Sequence, residues 1–208
     1  MDVRKRHNLA KFDLLKHYTK RGSTLLDVGS GRGGDIHKWN KLYLNVTACE
    51  PYEKFVHDMI NRINESKYSN VTLYHGDVRS APMVQFDTIS YMFSIHYIWA
   101  HDTQEQIDAL RARVKPGGFI IGTIPWGDRI KSQKEFMSPE GTFWLEGREV
   151  CWSVNGPFYN ETVQKEPLVT KDMLVNTLGD RFDLVQWEPL GSEGISPFYA
   201  KFAFYLRP

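Results

Sequence analysis

The stretch Ser23-Thr-Leu-Leu-Asp-Val28, followed at once by Gly29-Ser-Gly-Arg-Gly-Gly34, decides the fold of this chain. The first six residues form a short apolar run typical of a buried strand, and the next six form a glycine-rich loop. A helix is expected to follow, through Trp39. A strand that passes through such a loop into a helix predicts a parallel sheet with a ligand site at the carboxyl ends of its strands.

Strand-like and helix-like segments alternate from about residue 8 to residue 124. The further predicted strands are Val46–Glu50, Val71–Tyr74, Phe86–Tyr91 and Phe119–Ile124, the last of them after a tight turn at Lys115–Gly118. The further predicted helices are one through Leu9, Phe12, Leu15 and Tyr18 that ends near Arg21-Gly22, then Tyr52–Ile63 and Thr103–Val114. This alternation predicts a doubly wound α/β fold with helices on both faces of a mostly parallel sheet.

The last third of the chain has a different character. Residues 126–165 are rich in Gly, Pro, Trp and Tyr without a sustained period, which predicts an insertion over one rim of the sheet. Its tryptophans (Trp126, Trp144 and Trp152) fit either a lid or a satellite core. A helix is expected at Thr170–Leu178. Strands Asp183–Trp187 and Tyr199–Leu206 have no long helix between them, so they should pair antiparallel at one edge of a seven-stranded sheet.

Composition limits the class of protein. The chain has 208 residues, 41% of them hydrophobic and 25% charged, which predicts one globular domain over residues 1–208. Proteins that grip long nucleic acids usually have a plainly basic domain, and the net charge here is +1, so any nucleic-acid contact should be local. Two cysteines, no metal-ligand pattern, no signal peptide and no transmembrane span predict a soluble intracellular protein.

An acidic residue accompanies the glycine loop. Glu50 ends the second predicted strand about 20 residues later, where a carboxylate can accept both ribose hydroxyls of an adenosine. The loop also satisfies the dinucleotide pattern Gly-x-Gly-x-x-Gly, so these residues alone leave NAD open. Asp27 before the loop, Asp77 after the third strand and the antiparallel ending resemble class I methyltransferases, and this resemblance favours S-adenosylmethionine.

Five ordered stretches sharpen that resemblance. They are Arg4-Lys-Arg-His-Asn-Leu-Ala-Lys11, Leu25-Leu-Asp-Val-Gly-Ser-Gly-Arg-Gly-Gly-Asp-Ile-His-Lys-Trp39, Met92-Phe-Ser-Ile-His-Tyr97, Gly117-Gly-Phe-Ile-Ile-Gly-Thr-Ile-Pro125, and the late pair Glu166-Pro-Leu-Val with Phe198-Tyr199. Together they resemble the mRNA cap guanine-N7 methyltransferase family over almost the whole chain. Ser30, Arg32, Glu50 and Met92 depart modestly from the usual residues of that family, and the insertion is short for it.

The resemblance implies a cofactor pocket for S-adenosylmethionine, which leaves as S-adenosylhomocysteine. Lys11 would pair with the methionine carboxylate, Asp35 with its ammonium, Glu50 with the ribose and Asp77 with the adenine. The other implied cofactor residues are Asp27, Gly29, Gly31 and Ser94.

The resemblance also implies a guanine pocket beside the cofactor. Its implied lining is Phe93, His96, Tyr97, Glu166 and Tyr199, with Arg32 and Arg62 near the cap phosphates. Guanine N7 already carries a lone pair, so no general base is required and none is assigned to His96. His96, Tyr97, Glu166 and Tyr199 would act by positioning.

Other interpretations remain open at this point. A methyltransferase with a small-molecule or protein acceptor would share the cofactor residues, and a non-catalytic cap-binding subunit would show a degraded loop or a lost ribose acid. The expected partner is the guanine-capped 5′ end of RNA, not DNA and not a membrane. We also expect a domain of a larger viral capping polypeptide with triphosphatase and guanylyltransferase domains, in the nucleus or cytoplasm, or in the host cytoplasm if viral.

Overall fold

The computed structural model describes residues 3–42, 44–66, 68, 70–154 and 163–208. Its helices are α1 (Val3–Tyr18), α2 (Ile36–Leu42), α3 (Glu53–Ser66), α4 (Thr103–Arg113), α5 (Gly127–Gln133) and α6 (Lys171–Leu178). Its strands are β1 (Thr24–Val28), β2 (Asn45–Glu50), β3 (Val71–His75), β4 (Phe86–Met92), β5 (Val114–Pro125), β6 (Glu135–Ser138), β7 (Gly141–Glu146), β8 (Glu149–Val154), β9 (Gln164–Pro167), β10 (Phe182–Pro189) and β11 (Tyr199–Leu206). In this part of the chain no helix is long and apolar enough to cross a membrane.

The main sheet has seven strands in the order β10-β11-β5-β4-β1-β2-β3. Strands β1 to β5 pair in parallel, and β11 runs antiparallel to both β5 and the edge strand β10. The doubly wound sheet and the antiparallel pairing at one edge are therefore confirmed. Chain order reverses between the neighbours β1 and β4, and the crevice beyond that point is where such sheets bind ligands.

The sheet separates two apolar cores. Ile120 and Ile124 of β5 face one core, which α4 and α6 cover, and Ile121 faces the other, which α1, α2 and α3 cover. Side chains alternate between the faces of a strand, so a strand buried on both sides must be apolar almost throughout. This requirement explains the continuous apolar sequence of β5.

The turn predicted at Lys115–Gly118 lies inside β5 rather than before it. Pairing with β4 shifts from Phe86 opposite Val114 to Thr88 opposite Phe119, so the intervening residues bulge out of the ladder. Gly117 has φ 77°, a left-handed conformation that glycine adopts without strain. The strand therefore begins at Val114, five residues earlier than predicted.

The predicted insertion is more regular than its sequence indicates. Strands β6 to β9 form a separate antiparallel sheet in chain order, and α5 precedes it. Its Phe143 and Trp152 are buried in a third core that Ala10 of α1 and Tyr199 of β11 share. Trp126 packs on Trp187 at the main core, so Trp126 and Trp152 belong to cores, whereas Trp144 is half-buried and donates to Glu146. Residues 155–162 of the insertion lie outside the described residues.

A substitution at Gly122 of β5 would test the packing of the main sheet. A Cβ added there would collide with the carbonyl oxygen of Tyr91 and would lie 2.6 Å from Cζ of Phe202. We expect Gly122→Ala to lower the free energy of unfolding by about 1–3 kcal/mol, because neither neighbour can move without disturbing the core. Chemical denaturation measures the change. Gly34→Ala is the control, since nothing lies within 4 Å of its added Cβ, and an equal loss in both variants would contradict this packing.

Candidate functional site at the carboxyl edge of the main sheet

The glycine loop brings the ends of β1 and β4 into close contact. Gly29 has φ 74° and donates its N–H to the carbonyl oxygen of Cys49 at 2.8 Å. A side chain at Gly29 would collide with Ser94, whose hydroxyl donates to the carbonyl of Val28 at 2.5 Å. Only glycine fits here, and the contact places Gly29 and Ser94 side by side. Their role toward a cofactor stays a prediction.

Glu50 is fixed by the same loop. Its two carboxylate oxygens accept the backbone N–H groups of Gly31 at 2.7 Å and Tyr52 at 2.9 Å. Only 5% of Glu50 is exposed, and burial raises the pKa of its carboxyl although both hydrogen bonds oppose that shift. The predicted ribose acid is therefore held rigidly at the end of β2, with Gly31 beside it.

Four charged residues form what we call the charge cluster: the buried Asp27, Asp35 and Lys38, and the partly buried Lys11. Lys11 Nζ lies 2.9 Å from Asp35 Oδ2, and Lys38 Nζ bonds the other carboxylate oxygen of Asp35. Burial alone would raise the pKa of Asp35, but the two lysines lower it to about 2. The sequence analysis predicted Lys11 and Asp35 together but assigned no role to Lys38.

Asp27 is the second carboxylate of the charge cluster. It is 2% exposed and accepts a hydrogen bond from the hydroxyl of Ser90. Burial, together with the nearby charge of Asp35, raises the pKa of Asp27 to about 6. Asp27, which the resemblance implied as a cofactor residue, is thus a buried residue of β1 just before the glycine loop.

Asp77 is engaged by an arginine that the sequence analysis did not single out. Burial would raise the pKa of Asp77, but Arg79 bonds it through both side chain and backbone and lowers it. The same guanidinium bonds Asp102 at 3.0 Å and Glu105 at 2.7 Å. Asp77 thus follows β3 as predicted, in a fixed orientation.

Four aromatic side chains, His7, Phe93, Trp152 and Tyr199, pack against one another beside the charge cluster, and we call this group the aromatic pocket. The rings of Phe93 and Tyr199 meet edge to face at 5.2 Å, and Trp152 stacks on Tyr199 at 4.8 Å. His7 contacts both, with centroids 5.5 Å from Phe93 and 5.4 Å from Tyr199. The structure thus joins the predicted Phe93 and Tyr199, and it adds His7 and Trp152, which the sequence analysis missed as site residues.

Two contacts link this pocket to its surroundings. Lys11 Nζ lies 6.0 Å from the ring centroid of Phe93, within range of a cation–π interaction. Phe93 itself has φ 65°, a strained conformation for a residue with a side chain, which its N–H bond to Thr123 helps to hold. The charge cluster and the aromatic pocket are therefore contiguous.

Glu166 of β9 is the residue through which the small sheet contacts His96 and Tyr97. Its carboxylate accepts the hydroxyl of Tyr97 at 3.2 Å and lies 3.4 Å from Nε2 of His96, which is 1% exposed. Burial and the Glu166 charge both raise the pKa of Tyr97. The structure thus brings together three of the residues that the resemblance implied for the lining of the guanine pocket.

The two predicted phosphate arginines lie farther out. Arg32 Nη1 pairs with Asp58 at 3.2 Å, and its guanidinium stacks over Phe55 at 4.8 Å, both on α3. Arg62 is exposed one turn further along the same helix. A role for either arginine toward phosphate stays a prediction.

Comparisons with known proteins give the fold and the family of this chain. Solved structures with the same fold include an S-adenosylmethionine-dependent methyltransferase from Clostridium acetobutylicum, with a TM-score of 0.70, 14% identity and coverage of 98% of this chain and 92% of that one. Another is the glycopeptide N-methyltransferase MtfA complexed with S-adenosyl-L-methionine, with a TM-score of 0.67, 17% identity and coverage of 97% and 94%. The fold is therefore that of the Rossmann-like methyltransferases.

Residues 1–146 match the family model of the mRNA (guanine-N(7))-methyltransferase domain. The chain belongs to this family. It is 27% identical over 205 residues to mRNA cap guanine-N(7) methyltransferase 1 of Arabidopsis thaliana, covering 89% of this chain and 54% of that protein. It is also 27% identical over 197 residues to the mRNA cap guanine-N(7) methyltransferase of Saccharomyces cerevisiae, covering 69% and 44%. The chain spans about half the length of the curated relatives it matches.

The raised pKa of Asp27 predicts a pH-dependent stability. The unfolded carboxyl ionises near its ordinary pKa of 3.8 and the folded one near 6, so the folded state is the one that retains the proton between these values. The contribution of Asp27 to the free energy of unfolding should therefore fall by up to about 3 kcal/mol as the pH rises from about 4 to about 6. Urea denaturation across this range measures it.

Asp27→Asn should remove most of that decline, because the amide does not titrate. The exposed Asp180→Asn variant is the matched control and should keep the wild-type decline. An unchanged pH dependence in Asp27→Asn would contradict the account of the charge cluster.

Proposed function

We propose that this chain transfers a methyl group from S-adenosylmethionine to guanine N7 of an RNA cap. The observation that carries the proposal is the contiguity of two sites at one sheet edge. Lys11 pairs with Asp35 in the charge cluster and also lies against Phe93 in the aromatic pocket. A cofactor held by the first site and a flat acceptor held by the second would therefore be neighbours.

The residues present fit S-adenosylmethionine. Nothing lies within 4 Å of the position that a Cβ would take at Gly31, which leaves the loop open to a ligand there, and Glu50 offers a buried carboxylate for a ribose. Lys11 and Asp35 form an ion pair of the kind a zwitterionic amino acid arm can replace, with Lys11 on its carboxylate and Asp35 on its ammonium. Asp77 would accept the adenine amino group. When bound, the cofactor supplies an electrophilic methyl group on a sulfonium.

The aromatic pocket suits a guanine that gains positive charge. Phe93 is only partly buried and would offer a ring face for stacking, with Tyr199 packed beside it, and such faces attract a cation. Glu166, supported by Tyr97 and His96, would accept the N1 and N2 hydrogens of the base and oppose the developing charge. N7 needs no deprotonation, so these residues act by placing N7 in line with the methyl group, an effect that can reach ~7–11 kcal/mol.

The proposed partner is the guanine-capped 5′ end of RNA. Arg32 and Arg62 would reach its phosphates, since guanidinium groups match phosphate oxygens well. The net charge of +1 agrees with a short contact rather than a long RNA track. A link to triphosphatase and guanylyltransferase domains stays a prediction.

A transfer assay with labelled cofactor tests the proposal. The protein is incubated with S-adenosylmethionine carrying a labelled methyl group and with short RNA ending in a guanine cap, and the product is digested to nucleosides. We expect the label in 7-methylguanosine. Label in another nucleoside would point to a different RNA acceptor, and no transfer at enzyme excess with the cofactor bound would contradict the cap assignment.

Glu166 provides a variant test of the acceptor pocket. Glu166→Gln should lower kcat/KM for capped RNA by roughly 10²-fold, because the amide removes the charge that opposes the guanine cation. The affinity for S-adenosylhomocysteine, measured by calorimetry, should stay within about twofold, since Glu166 lies outside the charge cluster. Glu149→Gln, an exposed glutamate on the adjacent β8, is the matched control. Full activity in Glu166→Gln would overturn this role.

A further inference from the structure

We propose that Lys38 is a positioning residue for cofactor binding: it is the permanent counter-ion of Asp35, while Lys11 is the exchangeable one. The inference deepens the proposed function and rests on the placing of the amino acid arm between Lys11 and Asp35. The sequence analysis assigned Lys38 no role beyond its place in a motif. The contacts of Lys38 in the structure indicate a role.

Lys38 is held from two sides in a buried position. It is 2% exposed, and its Nζ bonds Asp35 and also donates to Oδ1 of Asn8 at 3.0 Å. Asn8 lies on α1 and Asp35 directly precedes α2, so Lys38 ties the two helices together at the charge cluster. A buried ammonium is retained in a protein when it is paired and hydrogen-bonded, and Lys38 meets both conditions.

Lys11 is placed differently. Its side chain is 14% exposed against 2% for Lys38, and it extends from Asp35 toward Phe93 at the border of the aromatic pocket. Of the two lysines, Lys11 is therefore the one that an incoming carboxylate can reach. Asp35 then loses one partner at the moment when it gains the ammonium of the ligand.

The charge balance shows why two lysines are needed. With both carboxylates ionised, the charge cluster holds two negative and two positive groups and is neutral. The amino acid arm adds one carboxylate and one ammonium, so the sum stays zero after binding. Without Lys38, one buried negative charge would remain uncompensated in both states, which is costly in a buried site. Lys38 thus keeps Asp35 ionised and correctly oriented for the ligand ammonium.

The test compares two ligands that differ only in the arm. S-Adenosylhomocysteine carries the amino acid group, and 5′-methylthioadenosine lacks it while keeping adenine, ribose and sulfur. Calorimetry should show that Lys38→Met weakens S-adenosylhomocysteine about tenfold or more, as expected for loss of hydrogen bonds to a charged group. The affinity for 5′-methylthioadenosine should change less than about twofold. Lys41→Met, an exposed lysine on the same helix, is the matched control.

A second variant guards against misfolding. Lys38→Gln keeps a polar group but removes the charge, and it should lower the ratio of the two affinities as Lys38→Met does. Equal weakening of both ligands, an unchanged ratio in the folded variants, or a wild-type protein that does not favour the ligand with the arm would each overturn the inference. No RNA enters this experiment, so a failure of methyl transfer to the cap is a separate result.

Discussion

Gly29 packs against Ser94 without room for a side chain, and the position of the rest of the site depends on this contact. It joins the ends of β1 and β4, the two strands between which chain order reverses. On one side, the glycine loop leads to Glu50 and the charge cluster. On the other, the chain continues through Phe93, whose strained φ of 65° turns it into the segment that carries His96 and Tyr97. Such strain is worth about 1–3 kcal/mol and persists only where the surroundings enforce it.

The two sheets contribute residues to different parts of the proposed site. Two of the residues that we assign to the cofactor, Asp27 and Glu50, lie on strands of the main sheet. Most of the others lie in the segments that follow its strands: Gly29, Gly31, Asp35, Asp77 and Ser94. Lys11 comes from α1 and Lys38 from α2. The acceptor pocket needs both sheets, since Glu166 lies on β9 and Trp152, which supports Tyr199, lies on β8. In the proposed assignment, the cofactor residues therefore lie at the carboxyl edge of the main sheet and on α1 and α2, and the small sheet contributes only to the acceptor pocket. A change in the insertion would therefore alter the acceptor pocket while leaving the cofactor residues in place.

The sequence correctly predicted those elements whose local residue pattern is the one that their tertiary environment requires. Strand β1, the glycine loop and Glu50 follow from apolar runs, glycine spacing and strand order. The small sheet could not be predicted, because its strands are only four to six residues long and half-buried, with aromatic residues on both faces. Lys38 was missed because a lysine in a short helix is ordinarily exposed, and only tertiary packing buries it. Glu166 was assigned to the guanine pocket by family resemblance alone. In the structure it contacts Tyr97 and His96.

The most direct test of the central claim, that one sheet edge holds two contiguous pockets, is a crystal structure with S-adenosylhomocysteine and a guanine-capped dinucleotide. The account requires the amino acid arm between Lys11 and Asp35, and the guanine against Phe93 and Tyr199 with its N1/N2 edge toward Glu166. N7 should then point at the sulfur of the cofactor product. A guanine bound away from Glu166, or a base whose N7 points away from that sulfur, would contradict the account.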